Sequence, residues 1–167
     1  MKLIRSTILI SVCFVALQMN GQKNIDQIFR KYKNDEGVVN MNFTGEVLQM
    51  MNSSDKKLQS KVELVDILVF QEKNDISSDD KSSIQKVLSR DKFDLLVDVK
   101  NKDQKVKLFA LDGGEYLQKL YCHINTTELN AYFILSGKII FNELAKLGLD
   151  FQNGGALKFL EKNKLSK

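Results

Sequence analysis

The 167-residue chain has no proline and no tryptophan, one histidine and two cysteines. The missing proline and tryptophan point to no particular activity. The scarcity of histidine and cysteine excludes more. A tetrahedral zinc site takes about four N, S or O ligands, so carboxylates would have to supply most of the set. Cys13 lies in an N-terminal apolar segment, which leaves Cys122 alone in the rest of the chain. One cysteine makes no intramolecular disulfide. Charge of one sign is also scarce. The net charge is +4, and it falls to +2 without Lys2 and Arg5. The other lysines alternate with acids, so the basic patch of a nucleic-acid binder is missing. A membrane span needs about 20 apolar residues, and the run from Ile8 to Leu17 is shorter.

What is present reads as an exported globular domain. Hydrophobic residues make up 43% and charged residues 28%, which is ordinary globular usage and argues against disorder. Lys2 and Arg5 precede the apolar run, and Gln18-Met19-Asn20-Gly21-Gln22 gives a more polar exit with a small residue. That is the layout of a secretory signal. The expected cleavage lies between Gly21 and Gln22, with Ala16 as a fallback. Lipidation at Cys13 is the lesser alternative, because Val12 is a poor residue for the preceding position. Residues 1–21 are thus expected to be a signal peptide and 22–167 a single domain. A product of that size is expected to be soluble, periplasmic or secreted, with enough buried surface for a core.

Periodicity gives the elements. Ile25, Ile28, Phe29 and Tyr32 form one helical stripe within 24–33. Gly37 ends that helix and Val38 to Phe43 reads as a strand. Val47, Leu48 and Met51 suggest a short helix. Val62 to Phe70 is nearly continuous in apolar residues, the mark of a strand covered on both faces. Ser77 caps a helix over 79–90, with acids in its first turn. Phe93, Leu95, Val97 and Val99 then alternate with their neighbours, and Val106, Leu108 and Ala110 resume the pattern. Tyr116, Leu120, Cys122 and Ile124 share one face; Leu129, Ala131, Phe133 and Leu135 share another. Four such strands predict an antiparallel meander with one packed and one wetter face. Gly137 is expected to end the sheet, and Ile139 to Leu147 to form a helix, with Leu157 and Leu160 in another. The fold class is α+β: an antiparallel-dominated sheet of about six strands with helices packed on one face.

The segments Ile28-Phe29-Arg30-Lys31-Tyr32-Lys33 and Glu36-Gly37-Val38-Val39 open the domain. Phe93-Asp94-Leu95-Leu96, Glu115-Tyr116-Leu117-Gln118-Lys119-Leu120 and the run from Ala131 to Ile139 follow in order. In order and spacing these segments resemble domain-of-unknown-function family 4252, from about Ile25 to Leu147. The resemblance implies a small exported protein of a Gram-negative bacterium, without an established activity or catalytic residue. It also implies a setting near envelope-stress regulation.

The candidate chemical groups read more simply as structure. Cys122 and His123 are adjacent on a strand and point to opposite faces, with Cys122 expected in the core and His123 in solvent. A nucleophile needs a base within hydrogen-bond reach. Asp94 and Asp98 stand about 13–14 Å apart on a strand, beyond the about 5–9.5 Å of a glycosidase pair. Asp75, Asp79 and Asp80 lack the spacing of a calcium loop and suit a helix cap. Gly113-Gly114 and Gly154-Gly155 lack the strand, lysine and hydroxyl of a phosphate loop. Asn42-Phe43-Thr44, Asn52-Ser53-Ser54 and Asn125-Thr126-Thr127 match a glycosylation pattern, a chance match in a bacterial chain. The expectation is therefore a non-enzymatic cell-envelope interaction module without catalytic, cofactor or metal residues. Its partner would be an envelope protein, with no nucleic acid and no transmembrane span in the mature chain. The alternative is a carrier of a small ligand or lipid.

Overall fold

The structure, a computed structural model, describes residues 24–47, 60–71 and 74–143. Helix α1 (Ile25–Tyr32) starts at Asn24, whose side chain accepts from Gln27 N while the Gln27 side chain accepts from Asn24 N. This reciprocal box satisfies two otherwise unpaired donors. Gly37, at φ +75°, turns the chain into β1 (Val38–Thr44). Strand β2 (Lys61–Phe70) follows, then α2 (Ser78–Arg90), capped by the Ser77 side chain on Asp80 N. The remaining strands are β3 (Asp94–Lys100), β4 (Gln104–Asp112), β5 (Leu117–Thr126) and β6 (Asn130–Ile139).

All six strands join one antiparallel sheet in the order β1-β2-β6-β5-β4-β3. Strands β3 to β6 form the expected meander, folded back so that β6 pairs with β2. Side chains close the hairpins. Asn101 Oδ1 accepts from Asp103 N and Gln104 N, and Asp112 Oδ1 accepts from Gly114 N. Thr126 Oγ1 accepts from Glu128 N and Leu129 N. Such polar side chains mimic a backbone turn and fix the register of the flanking strands.

The sheet separates two apolar clusters. One holds Val65, Ile67, Leu108, Cys122, Ile124, Phe133 and Leu135. The other holds Leu68, Phe70, Tyr121, Tyr132 and Ile134 with Ile28 and Phe29 of α1 and Ile84, Val87 and Leu88 of α2. The wetter face expected for the meander is therefore absent from β5 and β6, where Tyr121, Cys122, Tyr132 and Phe133 are all buried. The residues expected on two separate faces share one. Leu120, Cys122 and Ile124 pair directly with Leu135, Phe133 and Ala131 across the β5–β6 ladder.

Two further expectations change. The sheet does not end at Gly137, because β6 runs on to Ile139, which is fully buried. Gly137, at φ +135°, passes a register irregularity in β2 between Val62 and Leu64. Glycine allows this close backbone approach. The expected helix from Ile139 thus begins as strand, with a single tight turn at 141–143. The rest of that helix, the one near Leu157 and Leu160, and most of the one at Val47 to Met51 lie outside the described residues. So do the signal segment with Gly21, Gln22 and Cys13, as well as Gly154-Gly155. No described helix is long and apolar enough to cross a membrane.

Candidate functional site

A polar cluster sits where the loop before α2 meets β5 and β6. Register pairing sets His123 directly opposite Tyr132, and their rings stack 4.0 Å apart at 3°. Tyr132 Oη donates to Asp75 Oδ1 at 2.6 Å, and Ile76 N donates to the same oxygen at 2.7 Å. Lys81 Nζ ion-pairs with Asp75 Oδ2. Asn130 ties the cluster to the loop. Its Nδ2 donates to Asn74 O at 3.1 Å, while its Oδ1 lies 3.1 Å from His123 Nε2. His123 is thus half-buried against a tyrosine and not turned to solvent. Parity alone placed it on the opposite face from Cys122 correctly, but that face is also packed.

The electrostatics follow from these contacts. Burial pushes the Asp75 carboxyl up, but hydrogen bonds from Lys81, Tyr132 and Asn130 outweigh it and hold the group below its ordinary value. Burial, then the hydrogen bond to Asp75, pushes the Tyr132 hydroxyl up. Burial also lowers His123, and this outweighs the opposing pull of Asn130 and Asp75. Cys122 is fully buried on the other face, and burial pushes its thiol well up. Cys122 and His123 therefore form no nucleophile–base pair. The hydroxyl, carboxylate and ammonium of the cluster are engaged with one another, so the arrangement acts as a clamp on the 74–77 loop.

His123 is the chain's one histidine, and histidine is the side chain whose unperturbed titration falls between pH 5 and 8. Its folded value is depressed, so the folded state binds the proton less readily than the unfolded chain does. Stability is full above the ordinary value of 6.5 and declines as pH falls through it. The slope is at most about 1.4 kcal/mol per pH unit for one proton. The denaturant midpoint is expected to drop between pH 7.5 and pH 5, and His123→Gln is expected to flatten that drop. Asp75 does not contribute in this window, because its stabilisation is lost only below its ordinary value of 3.8.

The other acids are dispersed. Asp80 accepts from Lys31 Nζ at 2.7 Å and Tyr32 Oη at 2.9 Å, joining α1 to α2. Asp98 pairs with Lys107 at 3.3 Å. A bulge at Leu96 separates Asp94 from Asp98, so the even spacing assumed for them is broken. Among the described residues, no group of three His, Cys, Asp or Glu side chains could hold a metal ion. Asp66 is buried and bonded to Lys33 at 2.6 Å, while its Oδ1 has no hydrogen-bond partner among the described residues.

The two sheet edges differ in charge and in bulging, although Leu95, Leu96 and Val99 of β3 are exposed as Val39 of β1 is. Strand β3 carries Asp94, Asp98 and Lys100 and is bulged at Leu96. Charge and bulging are the usual devices that blunt an edge against strand addition. Strand β1 reads Val-Val-Asn-Met-Asn-Phe-Thr, with no charge and no proline. It pairs with β2 over seven unbroken positions. Val39 is 40% exposed, and Asn40, Asn42 and Thr44 are exposed. The sequence signal for this edge was the missing charge in 38–44, but only the strand order shows that the segment lies at a border. A cleft of about 290 Å³ opens elsewhere, lined in part by Tyr116, Leu117, Ile139, Ile140 and Phe141.

The family model described as a domain of unknown function (DUF4252) matches residues 32–147. The chain belongs to the DUF4252 family. The matched span takes in all six strands and α2 of this DUF4252 chain, and with them the Asp75–Tyr132–His123 clamp. It starts at the last residue of α1, later than the expected Ile25. No curated protein and no solved structure matches the chain.

Proposed function

We propose that this DUF4252 protein is a non-enzymatic interaction module of the cell envelope, exported to the periplasm or beyond. It takes up an extended segment as an added strand along β1. The observation that carries this reading is the contrast between the guarded edge β3 and the uncharged, unbulged edge β1. The helices are read as covering one face of the sheet, supported by the cluster that α1 and α2 share. Among the described residues, β2 is the only strand paired with β1, whose other side borders the sheet.

The test is envelope cross-linking of the tagged full chain, with Asn40→Lys and Asn42→Lys as comparison. Both positions are exposed, and an edge lysine opposes pairing without disturbing the core. The expected result is one enriched envelope protein that falls at least about tenfold in the lysine variants, about 1.4 kcal/mol of binding. Recovery from both variants equal to that from the unmodified chain, or a confirmed turnover reaction, would sink the reading. The intact mass of the exported product checks the address. A chain starting at Gln22 supports a soluble form, and diacylglycerol on Cys13 a lipoprotein.

One observation favours a small-ligand carrier instead. Phe141 is 52% exposed at the cleft, which it lines with Tyr116 and Ile140 and with the polar Asp112, Glu115 and Asn142. That volume is at the lower end for ligand pockets. A co-purifying ligand in native mass spectra, lost in Phe141→Ala, would support this second reading.

A further inference from the structure

The geometry points to a second copy of this chain as the occupant of β1, paired antiparallel about a two-fold axis at Met41. The inference rests on reading β1 as a docking edge and adds the identity of what docks. In that register Asn40 faces Asn42 of the other copy, Val39 faces Phe43, Val38 faces Thr44, and Met41 faces Met41. The strand is complementary to itself. Apolar or β-branched residues meet at each outer pair, and two amides meet at each inner polar pair.

The faces agree with this match. Val39, Met41 and Phe43 pair with Val69, Ile67 and Val65 of β2. Met41 and Phe43 pack on the cluster remote from α1 and α2. Asn40 and Asn42 pair with Leu68 and Asp66, on the helix side. Self-pairing would therefore extend one apolar stripe across the axis on one face and one amide pair on each side of the axis on the other. Directly opposed side chains on one face are the unit of sheet stabilisation. A two-fold contact presents the same patch from both copies, as a strand symmetric about its centre requires. The edge β3 offers no such match, because its bulge puts Asp94 and Lys100 on opposite faces. The assembly would be one continuous twelve-stranded sheet, twice the six strands of one chain.

Cysteine pairing tests the register. Directly opposed residues in an antiparallel pair have Cα atoms about 4.5–5.5 Å apart, within disulfide reach. Under mild oxidation the full-length Met41→Cys chain is expected to link to itself, above the background of the unmodified chain. Equal mixtures of Asn40→Cys and Asn42→Cys are expected to link at least about tenfold more than either alone. Both positions are exposed, so this pair keeps the test sound if Met41→Cys fails to fold. Light scattering is expected to give twice the chain mass at high micromolar concentration, and the monomer mass for Asn40→Lys. A monomer at every concentration, or linking of Asn40→Cys with itself, overturns the proposal. If self-linking fails while envelope capture still depends on β1, the occupant is a different protein and the docking edge stands. If both fail, the docking edge falls as well.

Discussion

The Phe29→Ala protein is expected to unfold at a much lower denaturant midpoint, with a loss of about 3–5 kcal/mol. Phe29 is fully buried. Its ring meets Tyr121 edge-on at 6.4 Å and Tyr132 at 6.5 Å. Removing it deletes the largest apolar anchor of α1 on the sheet and leaves a cavity under two tyrosines, one of which carries the clamp. The pH dependence assigned to His123 is therefore expected to weaken in the same variant, because Tyr132 loses its edge contact with Phe29. The measurement is urea unfolding at pH 7.5 and pH 5 with unchanged slope. A loss below about 1 kcal/mol would mean that α1 is not docked through Phe29.

The second large effect is expected at Gly137. A methyl group there would sit 2.3 Å from Lys61 O and 2.8 Å from Glu63 N, at φ +135°. These are backbone atoms of a paired strand and cannot swing aside. Conformational strain and overpacking each contribute about 1–3 kcal/mol, so Gly137→Ala is expected to cost about 4 kcal/mol. Gly114 is the internal control. It has φ +90° but nothing within 4 Å of an added Cβ, so Gly114→Ala is expected to cost only the left-handed strain of about 1–2 kcal/mol. Thermal unfolding of the two variants separates the effects. Equal midpoints would remove the close approach of β2 and β6 as their cause.

Much of this architecture is legible from local patterns, because the relevant forces act between sequence neighbours. The stripe Ile25, Ile28, Phe29 and the cap at Ser77 announce their helices, and the alternation from Leu95 to Leu135 announces the meander. What local patterns do not carry is partner choice. Alternation shows that Tyr121 and Cys122 face opposite ways, but not that both sides are covered. Alternation therefore assigns His123 to water, although a tyrosine lies flat on it. Glycine at 137 reads as a stop because the long-range bulge it serves, some 75 residues earlier, leaves no mark beside it. The segment 38–44 shows its missing charge plainly, yet its position at a sheet edge depends on β6 having claimed the other side of β2.

That placement of β6 also sets the order of folding. Strand β2 is paired to residues 60 to 77 positions further along the chain. As the chain emerges N-terminus first, β1 and β2 come before β6, and of the two strands that flank β2 only β1 is then present. Leu68 and Ile67, which end at 0% and 1% exposure, stay uncovered by β6 until the last strand arrives. Closing so long a loop is slow relative to hairpin formation. Unpaired apolar strands invite association while they wait. The chain is thus most open to association between the emergence of β2 and the emergence of β6.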